Sequence, residues 1–259
     1  VITVYSAKGG IGTTTIAANL ALSLMEDEKD KRIVLVDGSM QYGDIHLMFN
    51  ELGQVSVMDL VPRVMDLDRE LVESVMILNR MTGVYILPAP PRPEFAEKIT
   101  GESFARILEF LRRYFDYVLI NTNSYISDSV LASLDSGDTV VLVTAQSINA
   151  IRNTRLFLDL WNAFGMTKDR IELVLNRFDP ESPITVDRVG ERLKFQVSSV
   201  LPEDSVAARK ADALGQPILK SSRDSAFAKA MVGLSDRVKQ RLENVEKNET
   251  QRLRLFVTS

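Results

Sequence analysis

The chain has 259 residues, no cysteine, 45% apolar residues and a formal charge of −4. This excludes disulfide frameworks and cysteine metal sites, and it argues against a broadly basic surface that holds nucleic acid by counterion release. No apolar run approaches the roughly 20 residues that a bilayer-spanning helix needs, while length and apolar content suit one large α/β domain or two small ones, and the lack of cysteine suits a reducing cytoplasm.

In chain order, residues 1–5 read as an apolar strand. The sequence opens directly on it, without initiator methionine or leader, which gives the expectation of a fragment trimmed from a longer protein. Residues 6–15, Ser-Ala-Lys-Gly-Gly-Ile-Gly-Thr-Thr-Thr, then form a glycine-rich loop running into a helix near Thr13. Closely spaced glycines let backbone N–H groups turn inward around an anion, and the following helix N-terminus adds about half a positive charge. A phosphate belongs there. The common phosphate loop, GxxxxGK[ST], carries lysine after its last glycine. Here Thr13 holds that place, and a lysine, Lys8, precedes the glycines instead.

Further strands are expected at 32–37, 84–87, 117–121, 139–144, 171–176 and 196–201, with helical patterns between them. Ile33-Val34-Leu35-Val36 and Val140-Val141-Leu142-Val143 are wholly apolar, as expected of parallel strands covered on both faces. Between 104 and 114, Phe104, Ile107, Leu108 and Leu111 share one helical face. The proline-rich stretch 88–93 reads as a rigid loop after a strand. In such a sheet ligands lie at the C-terminal strand ends, and the first, second and fourth strands deliver the Lys8 loop, Asp37 and Asn121 to that edge. No repeat, low-complexity tract or domain linker interrupts the pattern.

His46, the single histidine, lies in an apolar stretch and reads as structural. The methionines read as gap-filling core, with 55–81 the first guess for a protein contact. Residues 238–254 are highly charged and read as a solvated helix, whereas Arg252-Leu253-Arg254-Leu255-Phe256-Val257 suits either a short membrane-facing helix or a strand.

The segment KGGIGTTTIAANLA resembles the deviant Walker A motif of the MinD/ParA family of dimeric P-loop ATPases, usually KGGxGKTT. LVDGSMQYGD is similar to that family's switch I, LINTNSYISDSVLASLDSGDTVVLVT to its Walker B and switch II, and VLNRF with LPED to its base-binding segments. Within the family the chain most resembles pilus-assembly proteins of the CpaE/TadZ type, whose ATPase domain follows a receiver-like domain. The resemblance implies an α/β P-loop NTPase: a mostly parallel, twisted sheet of seven to eight strands with helices on both faces, a single domain over 1–243, a charged tail over 244–259, and a receiver-like domain upstream.

It also implies roles. Lys8 would be the lysine that reaches the partner's phosphates in an ATP-sandwiched homodimer, a mobile surface lysine being the lesser reading. Gly9, Gly10, Ile11 and Gly12 would supply the backbone cradle, Thr13 the altered lysine position, Thr14 the Mg²⁺-binding hydroxyl and Thr15 an α-phosphate contact; the hydroxyls also suit helix N-capping. Asn176 and Arg177 would read adenine, with Leu201, Pro202 and Glu203 closing the other face, although an asparagine also suits a strand end. Lys8 and Asp37 are the implied catalytic side chains, and Thr14, Asp37 and Asn121 the implied surroundings of Mg²⁺.

Three positions depart from the pattern. Thr13 removes a charge-assisted contact worth roughly 1.5–3 kcal/mol, about ten- to a hundredfold in affinity. Ser39 replaces the second switch I carboxylate, which orients the attacking water, and Asn121 replaces the Walker B aspartate. Each lost catalytic group costs about 10² to 10⁴ in rate. Asp128 reads as an N-terminal helix charge rather than a substitute base, and Arg152 falls near the implied dimer interface. The leading expectation is an ATP- and Mg²⁺-binding, dimerising scaffold for pilus or secretion machinery, cytoplasmic or peripheral at the inner membrane face or cell pole, with hydrolysis weak or lost. An active ATPase positioning cargo on membrane or nucleoid, and a pseudo-ATPase interaction module, stand as alternatives.

Overall fold

A computed structural model describes the backbone of residues 1–257 and the side chains of residues 1–245. Eight strands form one sheet: β1 Ile2–Tyr5, β2 Ile33–Asp37, β3 Ile77–Leu78, β4 Tyr85–Leu87, β5 Tyr117–Asn121, β6 Thr139–Ala145, β7 Ile171–Phe178 and β8 Ser199–Pro202. Their spatial order is β3-β4-β2-β5-β1-β6-β7-β8, parallel throughout except where β3 runs antiparallel to β4. The helices are α1 Thr13–Asp27, α2 Arg69–Ser74, α3 Gly101–Tyr114, α4 Asp128–Ser136, α5 Ile148–Ala163, α6 Val186–Leu193, α7 Ser205–Leu214, α8 Ile218–Ser221 and α9 Ala226–Val257.

Strand alternation assigns each side chain a layer. Ile33 and Leu35 of β2, with Val141 and Val143 of β6, pack against α1, α7, α8 and α9. Their neighbours face the other way: Val34 and Val36 meet α3, while Val140 and Leu142 meet α4, α5 and α6. With both faces covered, the central strands have no polar face, which is why they read as unbroken apolar runs.

The structure corrects the sequence reading in places. Eight strands lie within the expected seven to eight, but no strand was placed at β3, which has two residues and lies at the sheet edge. The segment 55–81 is mixed: Val57, Leu60, Val72, Val75 and Met76 are buried in the core, while Met65 and Met81 are exposed. The C-terminal helix starts well before 238, and α9 buries Phe227, Ala228, Met231, Leu234 and Val238 in the main core. It runs unbroken through position 243/244 and on to Val257, so 252–257 is helical rather than a strand. Whether that stretch carries a membrane-facing side lies outside the described side chains.

A partly buried ion pair joins α9 to the sheet. Glu172 on β7 meets Arg241 Nη2 at 2.8 Å and accepts from Ser199 Oγ of β8 at 3.1 Å. Among the described residues no helix is long and apolar enough to cross a membrane.

Candidate functional site

The register brings three strand ends side by side. Asp37 on β2 pairs with Asn121 on β5, and Asn121 pairs with Val4 on β1, two residues before the glycine-rich loop. The loop turns back on itself because Gly10 (φ 77) and Gly12 (φ 96) take up left-handed backbone. Gly12 caps α1 without a side-chain hydrogen bond, no acidic residue stands in the first helical turn, and the helix's own bonding begins with Ile16 N–H to the Gly12 carbonyl at 3.0 Å. The hydroxyls of Thr13, Thr14 and Thr15 therefore do not serve as N-caps. What remains is a helix N-terminus with uncompensated dipole and half-buried hydroxyls.

Two of the loop's carbonyls are held by side-chain amides. Asn176 Nδ2 donates to the Ile11 carbonyl at 2.7 Å and Asn153 Nδ2 to that of Ala7 at 3.1 Å. Ser6 Oγ accepts from Lys8 N–H at 3.1 Å and donates to the Lys8 carbonyl at 3.0 Å. The Lys8 side chain is exposed, with no hydrogen bond or ion pair among the described residues. Gly9 lies under the loop after β5, where an added Cβ would meet Ser124 Oγ at 3.4 Å.

Asp37 is fully enclosed. Its Oδ1 accepts from Ser39 N–H and from Asn121 Nδ2, each at 3.2 Å, and its Oδ2 accepts from Ile45 N–H at 3.0 Å. Burial pushes its pKa up to about 6 despite those donors, with Asp44 adding a further small rise. Asn121 faces the carboxylate with its amide hydrogens, which leaves its Oδ1 buried and without a partner. Ser39 contributes only its backbone N–H to this arrangement. Asp128, in the first turn of α4 behind the N-cap Ser127, is exposed and answers to that helix dipole.

The residues implied for the base lie apart from Asp37, beyond β6. Asn176 is buried, so its amide braces the loop rather than merely ending a strand. Arg177 takes φ 53 at a bulge between β7 and β8, its Nε 3.9 Å from Glu203 Oε2 in a half-exposed pair. Leu201 is buried, Pro202 is partly so, and the Glu203 N–H ties back to the Phe178 carbonyl at 2.9 Å. From there Asp204 caps α7. That helix returns to α1 across a cleft of about 460 Å³ whose walls include Thr14, Thr15, Asp44, Met48, Ala211 and Asp212. Asp212 and Asn153 escaped the sequence reading, because neither carries a motif and Asn153 lies 146 residues from Ala7. Arg152 is exposed beside Asn153 on α5.

Comparison with known proteins agrees with this geometry. A family model described as AAA domain matches residues 1–172. The septum site-determining protein MinD of Thermotoga maritima is 26% identical over 217 residues, covering 80% of this chain and 78% of that protein. Among solved structures, a ParA family ATPase from Chlorobium tepidum superposes with a TM-score of 0.85 at 26% identity, covering 90% of this chain and 98% of that one. MinD from Pyrococcus horikoshii, solved with Mg-ADP, gives 0.79 at 24%, covering 92% and 94%, and so speaks for the fold.

Proposed function

Because the chain belongs to the AAA domain family and is a P-loop ATPase of the MinD/ParA type, we propose that it binds ATP with Mg²⁺, dimerises face to face through that nucleotide, and serves as a CpaE/TadZ-like scaffold that localises pilus or secretion machinery with little or no hydrolysis. The observation that carries this reading is the loop. Gly10 and Gly12 adopt left-handed backbone, the α1 N-terminus is free of acidic residues and side-chain caps, and two amides hold two of the loop's carbonyls. Such geometry supports reading the loop as an anion cradle.

Roles follow from placement. The loop N–H groups and Thr15 take the phosphates, and Lys8, exposed and unpaired, is available to a second copy's phosphates. Asn176 spends one amide hydrogen on Ile11, while its Oδ1 suits the exocyclic amine of adenine. The cleft carboxylates Asp44 and Asp212 suit ribose hydroxyls. Thr14 and Asn121 would hold Mg²⁺, whose charge offsets that of the phosphates. The orphaned Asn121 carbonyl fits a neutral acceptor there.

The same placement argues against fast turnover. Asp37 is enclosed and bonded on both oxygens, so it anchors the segment 38–45 rather than touching water or metal. Ser39 supplies no carboxylate in its stead. Calorimetric titration with ATP and Mg²⁺, followed by phosphate release and light scattering with and without nucleotide, tests the proposal. Saturable binding, dimerisation and near-background turnover are expected. Turnover abolished by Lys8→Ala would establish an active ATPase instead, and absence of binding would leave a pseudo-ATPase.

A further inference from the structure

We propose that Asn153 is a positioning residue for the phosphate loop, fixing the carbonyl that precedes Lys8 and so aiming both the loop and that lysine; the inference rests on the reading of the loop as a nucleotide site. The loop is braced at its two ends from two different elements. Asn176 holds the Ile11 end from β7, a strand inside the sheet. Asn153 holds the Ala7 end from α5, a surface helix. Its neighbours on that helix are anchored: Thr154 Oγ1 donates to Thr144 Oγ1 of β6 at 3.0 Å, and Phe157 and Trp161 are buried against the sheet. Asn153 is thus presented from a rigid base, with an amide hydrogen directed at one carbonyl 3.1 Å away.

The consequence lies at the next residue. Ala7 and Lys8 share a peptide unit, so the Ala7 carbonyl that Asn153 grips and the Lys8 N–H that Ser6 Oγ accepts belong to one plane. Rotation of this unit would swing the Lys8 Cα and the Gly9 N–H together. At 3.1 Å the Asn153 bond stands near the long end of normal N–H···O distances, so displacement by about 0.5 Å breaks it. Exposed Ile148 and Arg152 share the outer side of the same helical turns, so the loop's brace sits directly behind a surface a second molecule can touch.

Asn153→Asp and Asn153→Ala test this against Thr154→Val, which removes the neighbouring buried bond without touching the loop. Loss of one neutral hydrogen bond predicts ATP-Mg²⁺ binding weakened about three- to tenfold in Asn153→Ala, and more in Asn153→Asp, where an acceptor faces the Ala7 carbonyl. Asn153→Gln, which keeps a donor, should recover part of the loss. In nucleotide-free protein, amide exchange at residues 7–12 should quicken in both Asn153 variants and stay at the wild-type rate in Thr154→Val. The effect of Lys8→Ala on affinity should shrink in the Asn153→Ala background, a coupling that a merely structural residue would not show. Unchanged affinity and loop exchange in Asn153→Asp overturn the role of Asn153. Wild-type protein that binds no nucleotide, with loop exchange nonetheless quickened by Asn153→Asp, overturns the nucleotide reading while leaving the brace intact.

Discussion

Gly12→Ala is the sharpest test of the loop geometry. A Cβ at this position would stand 2.6 Å from Asn176 Nδ2, and the backbone there has φ +96. Holding an alanine in that conformation costs about 1–3 kcal/mol. The Cβ must also displace the Asn176 amide, breaking a buried 2.7 Å hydrogen bond and leaving the Ile11 carbonyl unpaired, a further 1–3 kcal/mol or so. Gly10→Ala separates the two effects, since its φ is +77 but its Cβ meets nothing within 4 Å. Gly12→Ala should therefore cost about 3–5 kcal/mol by urea unfolding, roughly 1–3 more than Gly10→Ala. Once Asn176 is already alanine, the added methyl has room, and Gly12→Ala should cost on the order of 1–2 kcal/mol less than in the wild type. Equal costs for the two glycine variants, together with additivity in the Asn176→Ala cycle, would refute the claim that Asn176 braces the loop.

Three further outcomes are expected. Asp37 holds its proton up to a pH of about 6, above its ordinary value, so its contribution to stability is complete below about pH 4 and is lost as pH rises through 6. Across that window the wild type should lose about 1.4 kcal/mol more per pH unit than Asp37→Asn, and parallel curves would count against a buried titrating carboxyl. Asn121→Asp places a second carboxylate 3.2 Å from the first; thermal scans should show destabilisation without Mg²⁺ that ATP-Mg²⁺ relieves, and combination with Ser39→Asp should raise phosphate release, a flat result sinking the account of the lost activity. Arg241→Met leaves Glu172 buried without its cation and should cost about 3–5 kcal/mol by urea unfolding, most of it recovered when Glu172→Leu is added.

The parallel sheet was legible because covering both faces makes a strand apolar along its whole length, as in Ile33 to Val36, and the loop was legible because glycines at Gly10 and Gly12 are what left-handed backbone demands. β3 was not, since two edge residues carry no period. The buried part of 55–81 was hard to read, because short one-turn helices bury Val57 and Leu60 without a helical repeat long enough to read. Asn153 and Asp212 were invisible for a different reason: each acts across a long stretch of sequence on a backbone carbonyl or a cleft wall, and neither task demands a motif.

The three altered positions are better understood together than as separate losses. In a site with aspartate at 121, two carboxylates would meet at the ends of β2 and β5 and need a cation between them. With Asn121 the pair becomes donor and acceptor at 3.2 Å, and Asp37 can be enclosed to anchor residues 39 and 45 with no cation present. Once Asp37 is used in this way, a carboxylate at Ser39 would add a second negative charge to a segment already tethered by Asp37 and flanked by Asp44. Thr13 likewise stands where a loop lysine is usual but leaves the glycine geometry and the open α1 N-terminus, which under the proposed function would take phosphate through backbone and dipole. On the proposed function, the three positions fall on charges that would serve the cleavage of a phosphate and spare the backbone that would hold one, the pattern that reading expects of a site kept for occupancy rather than turnover.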